Sequence, residues 1–192
     1  QGALAYDDDP THAIRPLDIS RKGTVISEGG CVYVLETLER ATARGARIYG
    51  EVAGYAMNSD ATDFVNPNTN RQIECMQKAL DRAGLKAGDI DIVNMHATAT
   101  GAGDISEINA VKGLFENCDS TYINFSKGHI GHTMGAAGAL ELAGNIPSFD
   151  DGVVHPGMSC TNVDPVCAMD NIVYVEPKQL DKVDYILNNS FG

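Results

Sequence analysis

The spacing of apolar and polar positions predicts a long helix near the middle of the chain. From Ile73 to Leu80 apolar residues recur at helical spacing, which places them on one face. Thr69 can cap the start of such a helix, and Gly84 can end it. We therefore expect an amphipathic helix over 69–83.

Shorter patterns on both sides predict strands that alternate with helices. Apolar runs bounded by glycine or polar residues predict strands at 31–35, which we expect to be buried, and at 47–57, 90–95, 121–125, 172–175 and 185–187. Further helices are expected at 38–43, at 104–115 and from about Gly131. Alternating strands and helices indicate an α/β fold with a mostly parallel sheet, whose sites form beyond the carboxyl ends of the strands. His96 and Lys127 both stand at such ends.

Composition narrows the class of protein. The chain has 192 residues, 43% of them hydrophobic, and 20 glycines, which is typical of one α/β domain or half of a larger one. A net charge of −12 argues against nucleic acid and membrane surfaces as partners. Five cysteines without a C-x-x-C pair argue against a disulfide framework or a zinc site. We expect no metal and a reducing, cytoplasmic location.

Two segments carry the candidate chemistry. In the first, Lys127 and His132 precede the run of small residues 135–138, which lets a thin substrate arm approach the backbone. In the second, His96 ends an apolar run, and the two hydroxyls of Thr98 and Thr100 follow at alternate positions. These residues suit carbonyl chemistry on a narrow, extended substrate.

Both segments resemble the C-terminal half of the β-ketoacyl-acyl-carrier-protein synthases, the condensing enzymes of fatty acid and polyketide assembly. The family's His-Gly-Thr-x-Thr pattern corresponds to 96–100, followed by Asp104 and Glu107. Its Lys-x-x-x-Gly-His-x-x-Gly-Ala-Ala-Gly run corresponds to 127–138, followed by Glu141. The stretch that begins Arg15-Pro16-Leu17-Asp18 and the closing Asn189-Ser190-Phe191-Gly192 resemble the family as well. Matches in the same order along nearly the whole chain are far more specific than one motif.

The resemblance implies a fold and an incomplete enzyme. It implies the C-terminal half of a thiolase-like fold, a mixed five-stranded sheet flanked by helices, with or without its last strand. Residues 1–45 would end the N-terminal half, and 46–192 would form a C-terminal half that is incomplete at its C-terminus. The family's nucleophilic cysteine lies further upstream, and none of the five cysteines stands at its position: Cys31, Cys75, Cys118, Cys160 and Cys167. We therefore expect this chain alone to be inactive.

The resemblance also implies residue roles in a decarboxylative Claisen condensation. His96 and His132 would offer N–H groups to the thioester oxygen on which charge develops. Lys127 would support them by holding the second histidine and the electrostatic balance of the site, and would not act as a nucleophile. Glu141 would belong to the same buried polar network as Lys127. Without the resemblance, a buried histidine bonded to backbone and an exposed glutamate on a helix face are the ordinary alternatives.

The remaining polar residues of these motifs have supporting roles. By resemblance, Thr98 and Thr100 bind the amides of a pantetheine arm, and Thr100 can also cap the helix that follows. The alanines at positions 97 and 99 are acceptable only if φ is negative there. Asp104 and Glu107 are expected to be capping and structural carboxylates. His129 has no carboxylate or cysteine at metal-ligand spacing and is expected to be structural.

The resemblance implies an acyl carrier protein as partner and a homodimer of the full-length enzyme. No covalently bound cofactor is expected, since the substrates are carried on phosphopantetheine of the carrier protein. Two alternatives stay open. One is a thiolase-related enzyme acting on coenzyme A esters, against which the lack of a Cys-x-Gly near residue 192 counts. The other is a non-catalytic partner subunit of the chain-length-factor type.

Overall fold

A three-stranded parallel sheet lies at the centre of the chain. The computed structural model describes residues 3–63 and 66–191, so Gly192 of the closing motif lies outside them. The sheet has the order β2-β1-β5 and consists of β1 (Ile92–Met95), β2 (Tyr122–Phe125) and β5 (Ile186–Asn188). A separate antiparallel pair contains β3 (Val153–Val154) and β4 (Lys178–Gln179). The predicted α/β fold is confirmed, with its five strands divided between two sheets.

Helices flank this sheet in the described part of the chain. They are α1 (Leu38–Ala43), α2 (Thr69–Ala83), α3 (Gly101–Phe115), α4 (Lys127–Ile130), α5 (Ala137–Asn145) and α6 (Ser148–Asp151). The predicted helices 38–43 and 69–83 are confirmed. The cap of α2 is Asn68 and not Thr69, because the Asn68 side chain accepts from two backbone amides of the first turn. Gly84 ends α2 at a φ of 71°.

The main core lies where α2 and α3 pack against the sheet. All four residues of β1 are buried, and β1 pairs in register with both neighbours, so that Ile92 faces Tyr122 on one side and Ile186 on the other. The helices contribute buried side chains that include Met76, Leu80, Ile108, Val111 and Phe115. No helix in the described residues is long and apolar enough to cross a membrane.

Two strand predictions are wrong. Residues 31–35 and 47–57 belong to no strand, and instead of being buried, Val32 is 90% and Val34 is 86% exposed. Their apolar pattern suits a strand, but no strand among residues 3–63 and 66–191 pairs with them. These two segments expose large hydrophobic side chains: Val32, Val34, Leu35, Ile48, Tyr49, Val52, Tyr55 and Met57.

Several other elements differ from the prediction. Of the predicted strand 172–175, only Ile172 forms a bridge, to Ile123. Helix α3 begins at Gly101, three residues earlier than expected, directly after its cap Thr100. The glycine-rich helix begins at Ala137 and not near Gly131, because Gly131 (φ 72°) and Met134 (φ 53°) interrupt helical geometry.

Candidate active site

The topology brings both motif histidines to one edge of the sheet. His96 follows β1 directly, and β1 and β2 run parallel, so their carboxyl ends meet there. His132 comes to the same edge because its backbone pairs with that of Ile26. A cavity of about 530 Å³ opens at this edge. Its lining includes His96, His132, Thr98, Thr100, Met134 and Phe191.

The two imidazoles face each other edge to face. The ring centroids of His96 and His132 are 5.1 Å apart, with an angle of 85° between the ring planes. Two N–H donors that share one oxygen each stand about 3 Å from it. This separation therefore lets both rings reach the same oxygen.

Lys127 is joined to the first histidine. Its Nζ lies 3.1 Å from Nδ1 of His96 and also bonds a carboxylate oxygen of Glu141, with both charged side chains fully buried. The expectation that Lys127 holds the second histidine, His132, is wrong. The one-turn helix α4 carries the lysine toward the end of β1, where His96 stands. Its expected place in a buried network with Glu141 is confirmed.

These contacts fix which ring nitrogen carries the proton. An ammonium can only donate, so Nδ1 of His96 accepts and its proton is on Nε2. The amide of Met134 donates to Nδ1 of His132 at 3.2 Å, which selects the same tautomer there. Among the described residues neither Nε2 has a hydrogen-bond partner. Each ring thus retains an unused N–H donor beside the cavity.

Burial keeps both histidines neutral. It lowers the pKa of His96 to about 2, with the charge of Lys127 and the proximity of His132 acting in the same direction. Burial also lowers the pKa of His132, again with help from Lys127. Neutral imidazoles that donate through Nε2 are the form required to stabilise a developing anion near neutral pH.

Two buried carboxylates shape the loop that carries His96. Glu107 accepts from the backbone amides of His96 (2.8 Å) and Ala97 (2.7 Å). Asp104 accepts from the amides of Leu17 (2.8 Å) and Ala99 (3.0 Å). Burial raises the pKa of Glu107 to about 7 and that of Asp104 to about 6. Their oxygens are engaged by backbone, as expected of structural carboxylates.

The loop itself adopts an uncommon backbone conformation. The expectation of negative φ for the two alanines is wrong, since φ is 35° at Ala97 and 66° at Ala99. Residues with a Cβ rarely adopt such values. The carboxylates of Glu107 and Asp104 hold the amides of these two residues and so compensate for the strain.

Thr98 lies within this loop, and Thr100 follows it. Their hydroxyls lie 3.0 Å apart, and that of Thr100 also accepts from the amide of Gly103, so Thr100 caps α3 as expected. Both side chains line the cavity. They thus offer polar groups along the path from solvent to the histidines.

Other polar residues of the motifs lie elsewhere. The exposed ring of His129 bonds the carbonyl of Pro156 through Nε2 at 2.7 Å and does not line the cavity. No group of three or more potential metal ligands of the His, Cys, Asp and Glu types lies within residues 3–63 and 66–191.

Phe191 is a site residue for which the sequence motifs predicted no role. Its ring centroid is 6.3 Å from that of His96, and it lines the cavity. The Asn-Ser-Phe-Gly motif at 189–192 was the available signal, because three of its residues directly follow β5. The backbone amide of Asn189 donates to the carbonyl of Asn94 in β1, which ties this motif to the sheet.

Comparisons with known proteins point to one family. The family model described as "Beta-ketoacyl synthase, C-terminal domain" matches residues 49–161. The chain is 39% identical over 188 residues to 3-oxoacyl-[acyl-carrier-protein] synthase I, chloroplastic, of Arabidopsis thaliana, covering 97% of this chain and 39% of that protein. It is 37% identical over 193 residues to 3-oxoacyl-[acyl-carrier-protein] synthase 2 of Staphylococcus aureus (strain COL), covering 99% of this chain and 46% of that protein.

Solved structures agree with this result. A beta-ketoacyl synthase from Burkholderia phymatum STM815 superposes with a TM-score of 0.88 at 36% identity, covering 94% of this chain and 44% of that one. The ishigamide ketosynthase/chain length factor superposes with a TM-score of 0.85 at 35% identity, covering 94% and 43% of the two chains. The fold is therefore thiolase-like, as expected. The chain spans less than half the length of the curated relatives it matches.

Proposed function

The chain belongs to the β-ketoacyl synthase family, and we propose that it supplies the decarboxylating part of the active site of a longer enzyme. That enzyme condenses an acyl thioester with malonyl-acyl carrier protein in fatty acid or polyketide synthesis. The observation that carries the proposal is the pair of neutral imidazoles with centroids 5.1 Å apart, whose Nε2 atoms have no hydrogen-bond partner within residues 3–63 and 66–191.

The chemistry follows from where charge develops. When the bond between the α-carbon and the carboxylate of the malonyl group breaks, CO₂ leaves and its bonding electrons pass into an enolate. Negative charge then accumulates on the thioester oxygen, where His96 and His132 donate through Nε2. Lys127 is a positioning residue here, since its ammonium holds His96 in the donating tautomer.

The second half of the reaction uses a nucleophile from outside these residues. The enolate carbon attacks an acyl group held as a thioester on a cysteine of the full-length protein. A carbon–carbon bond forms, the carbon–sulfur bond breaks, and the cysteine thiolate leaves. The products are CO₂ and a β-ketoacyl thioester two carbons longer, still attached to the carrier protein.

The cysteines of this chain do not suit that role. None of them lines the cavity at His96 and His132. Burial raises the pKa of Cys160 to about 12 and that of Cys167 to about 11, which disfavours the reactive thiolate. We therefore propose that residues 1–192 alone are inactive. A stoichiometric acyl adduct on one of the five cysteines, found by mass spectrometry after incubation with labelled acyl carrier protein, would overturn this.

The cavity suits a substrate delivered on a phosphopantetheine arm. Thr98 and Thr100 line it with hydroxyls that can bond the amides of the arm. The relatives' names include acyl carrier protein, and one solved neighbour with a TM-score of 0.84 at 29% identity is titled as a type II acyl carrier protein in complex with its ketosynthase. We propose the same class of partner here, together with a homodimeric full-length enzyme in the cytoplasm.

The test uses the full-length protein. It is incubated with malonyl-carrier and acyl-carrier proteins, and CO₂ release and the β-ketoacyl product are followed by mass spectrometry. We expect both. Full-length protein that forms neither product would contradict the proposal and favour a chain-length-factor-type subunit. The presence of both histidines and the lysine in contact supports an active enzyme instead.

A further inference from the structure

The hydroxyl of Thr24 has no hydrogen-bond partner among the described residues, although it is buried. The residue as a whole is only 7% exposed and forms part of the wall of the cavity that contains His96 and His132. A buried hydroxyl without a partner costs free energy, so each instance calls for an explanation. Because the hydroxyl lies in the wall of the cavity, a bound substrate can supply the missing hydrogen-bond partner.

The backbone holds Thr24 firmly beside the catalytic loop. Its amide donates to the carbonyl of Ala3 at 2.7 Å, and its carbonyl accepts from Ala5 at 2.8 Å. The amide of the preceding Gly23 donates to the carbonyl of Ala99 at 3.0 Å. Only the side chain retains freedom, since rotation about the Cα–Cβ bond exchanges its hydroxyl and methyl between staggered positions. The hydroxyl can therefore turn toward a ligand in the cavity.

The neighbouring groups leave one part of a malonyl thioester without a donor. The histidines serve the thioester oxygen, and the hydroxyls of Thr98 and Thr100 are assigned above to the amides of the pantetheine arm. The ammonium of Lys127 is engaged by His96 and Glu141. The carboxylate that leaves as CO₂ still needs a hydrogen-bond donor. A neutral hydroxyl suits it, because a cation would hold the charge in place and oppose decarboxylation.

We propose, on the basis of the proposed function, that the hydroxyl of Thr24 donates a hydrogen bond to the free carboxylate of the malonyl group. This makes Thr24 a specificity-determining residue for the extender unit. The bond exists in the ground state and is lost as CO₂ leaves. Removing it therefore weakens substrate binding without slowing the chemical step.

The test compares Thr24→Val, which keeps the shape without the hydroxyl, with Thr24→Ser, which keeps the hydroxyl, both in the full-length protein. For malonyl-carrier decarboxylation we expect Thr24→Val to raise KM about 5- to 10-fold with kcat unchanged or higher. Thr24→Ser should keep KM within about twofold of the unaltered enzyme. Binding of malonyl-carrier protein should weaken in the valine variant, whereas binding of acetyl-carrier protein, which lacks the carboxylate, should not change.

Thermal unfolding of the ligand-free variants gives an independent readout. Thr24→Val should unfold at the same or a higher temperature, because it removes a polar group without a partner. A lower unfolding temperature would mean that the hydroxyl has a partner elsewhere in the full-length protein, and would overturn the inference. So would an unchanged KM or equal weakening of acetyl- and malonyl-carrier binding. Unaltered enzyme that releases no CO₂ would instead contradict the proposed function.

Discussion

Nζ of Lys127 lies 3.1 Å from Nδ1 of His96, so the lysine orients the first of the two site histidines and leaves the second to a backbone amide. Both arrangements place the ring proton on Nε2. Burial lowers the pKa of His96 to about 2, and the buried cation beside the imidazole opposes its protonation as well. Lys127 thus sets the tautomer of the donor and helps burial to keep it neutral.

Replacing either histidine should abolish most of the decarboxylation. In the full-length enzyme we expect His96→Ala and His132→Ala each to lower kcat by about 10²-fold or more, the usual cost of losing one oxyanion donor. CO₂ release from malonyl-carrier protein measures this. His129→Ala, which removes an exposed ring that bonds Pro156, is the matched control and should retain activity. A full rate in either site variant would exclude a shared oxyanion site.

Removing Lys127 should lower the stability of the protein and change both the pKa and the tautomer of His96. Lys127→Met leaves the fully buried Glu141 without its partner, which typically costs about 3–5 kcal/mol of stability. The pKa of His96 should rise, because the charge of Lys127 lowers it. The tautomer of His96 should also lose its preference for a proton on Nε2. Urea unfolding and ¹⁵N NMR of the histidine rings measure these effects.

The double variant Lys127→Met/Glu141→Leu separates the two roles. Removing both charges replaces a buried ion pair by apolar groups, so most of the lost stability should return. The activity of the double variant should stay below that of the unaltered enzyme, because Nδ1 of His96 still lacks its donor. A stable double variant with full activity would show that the lysine does not act through the histidine.

Much of this site was predictable, because the motifs place His96 and Lys127 at the carboxyl ends of strands and a parallel sheet collects those ends. The pairing of Lys127 with His96 was not, since residue spacing does not reveal where a one-turn helix directs its side chains. Residues 31–35 were mistaken for a buried strand because an apolar pattern does not show whether a partner strand is present. The positive φ of Ala97 was missed, since it depends on the tertiary contact with Glu107.

The buried carboxyl of Glu107 should make stability depend on pH. Burial raises its pKa from 4.5 to about 7, so the folded state binds its proton more tightly than the unfolded state. The contribution of Glu107 to stability is therefore fully present below about pH 4.5 and is lost as the pH rises through about 7. Urea unfolding at pH 5 and pH 8 measures the difference. The glutamine of Glu107→Gln cannot ionise, so this variant should not lose this contribution to stability as the pH rises. Equal pH dependence of stability in both proteins would contradict the prediction.

The strained loop at Ala97 supplies a test of the backbone itself. At a φ of 35° a residue with a Cβ is strained, at a cost of roughly 1–2 kcal/mol. Glycine is not strained there, but it costs about 0.5–1 kcal/mol of stability because it has more conformational freedom in the unfolded chain. We therefore expect Ala97→Gly to stabilise the full-length protein by about 0.5 kcal/mol in urea unfolding, the difference between these two effects. The same change at Ala79, inside α2, should destabilise it by about 0.5–1 kcal/mol, because helical geometry suits alanine. A gain in the free energy of unfolding at position 97 and a loss at position 79 would establish that the loop is strained. Equal losses would mean that the Ala97 amide donates its hydrogen bond to Glu107 without backbone strain, and that the alanine is as well suited to this loop as the glycine of the family pattern.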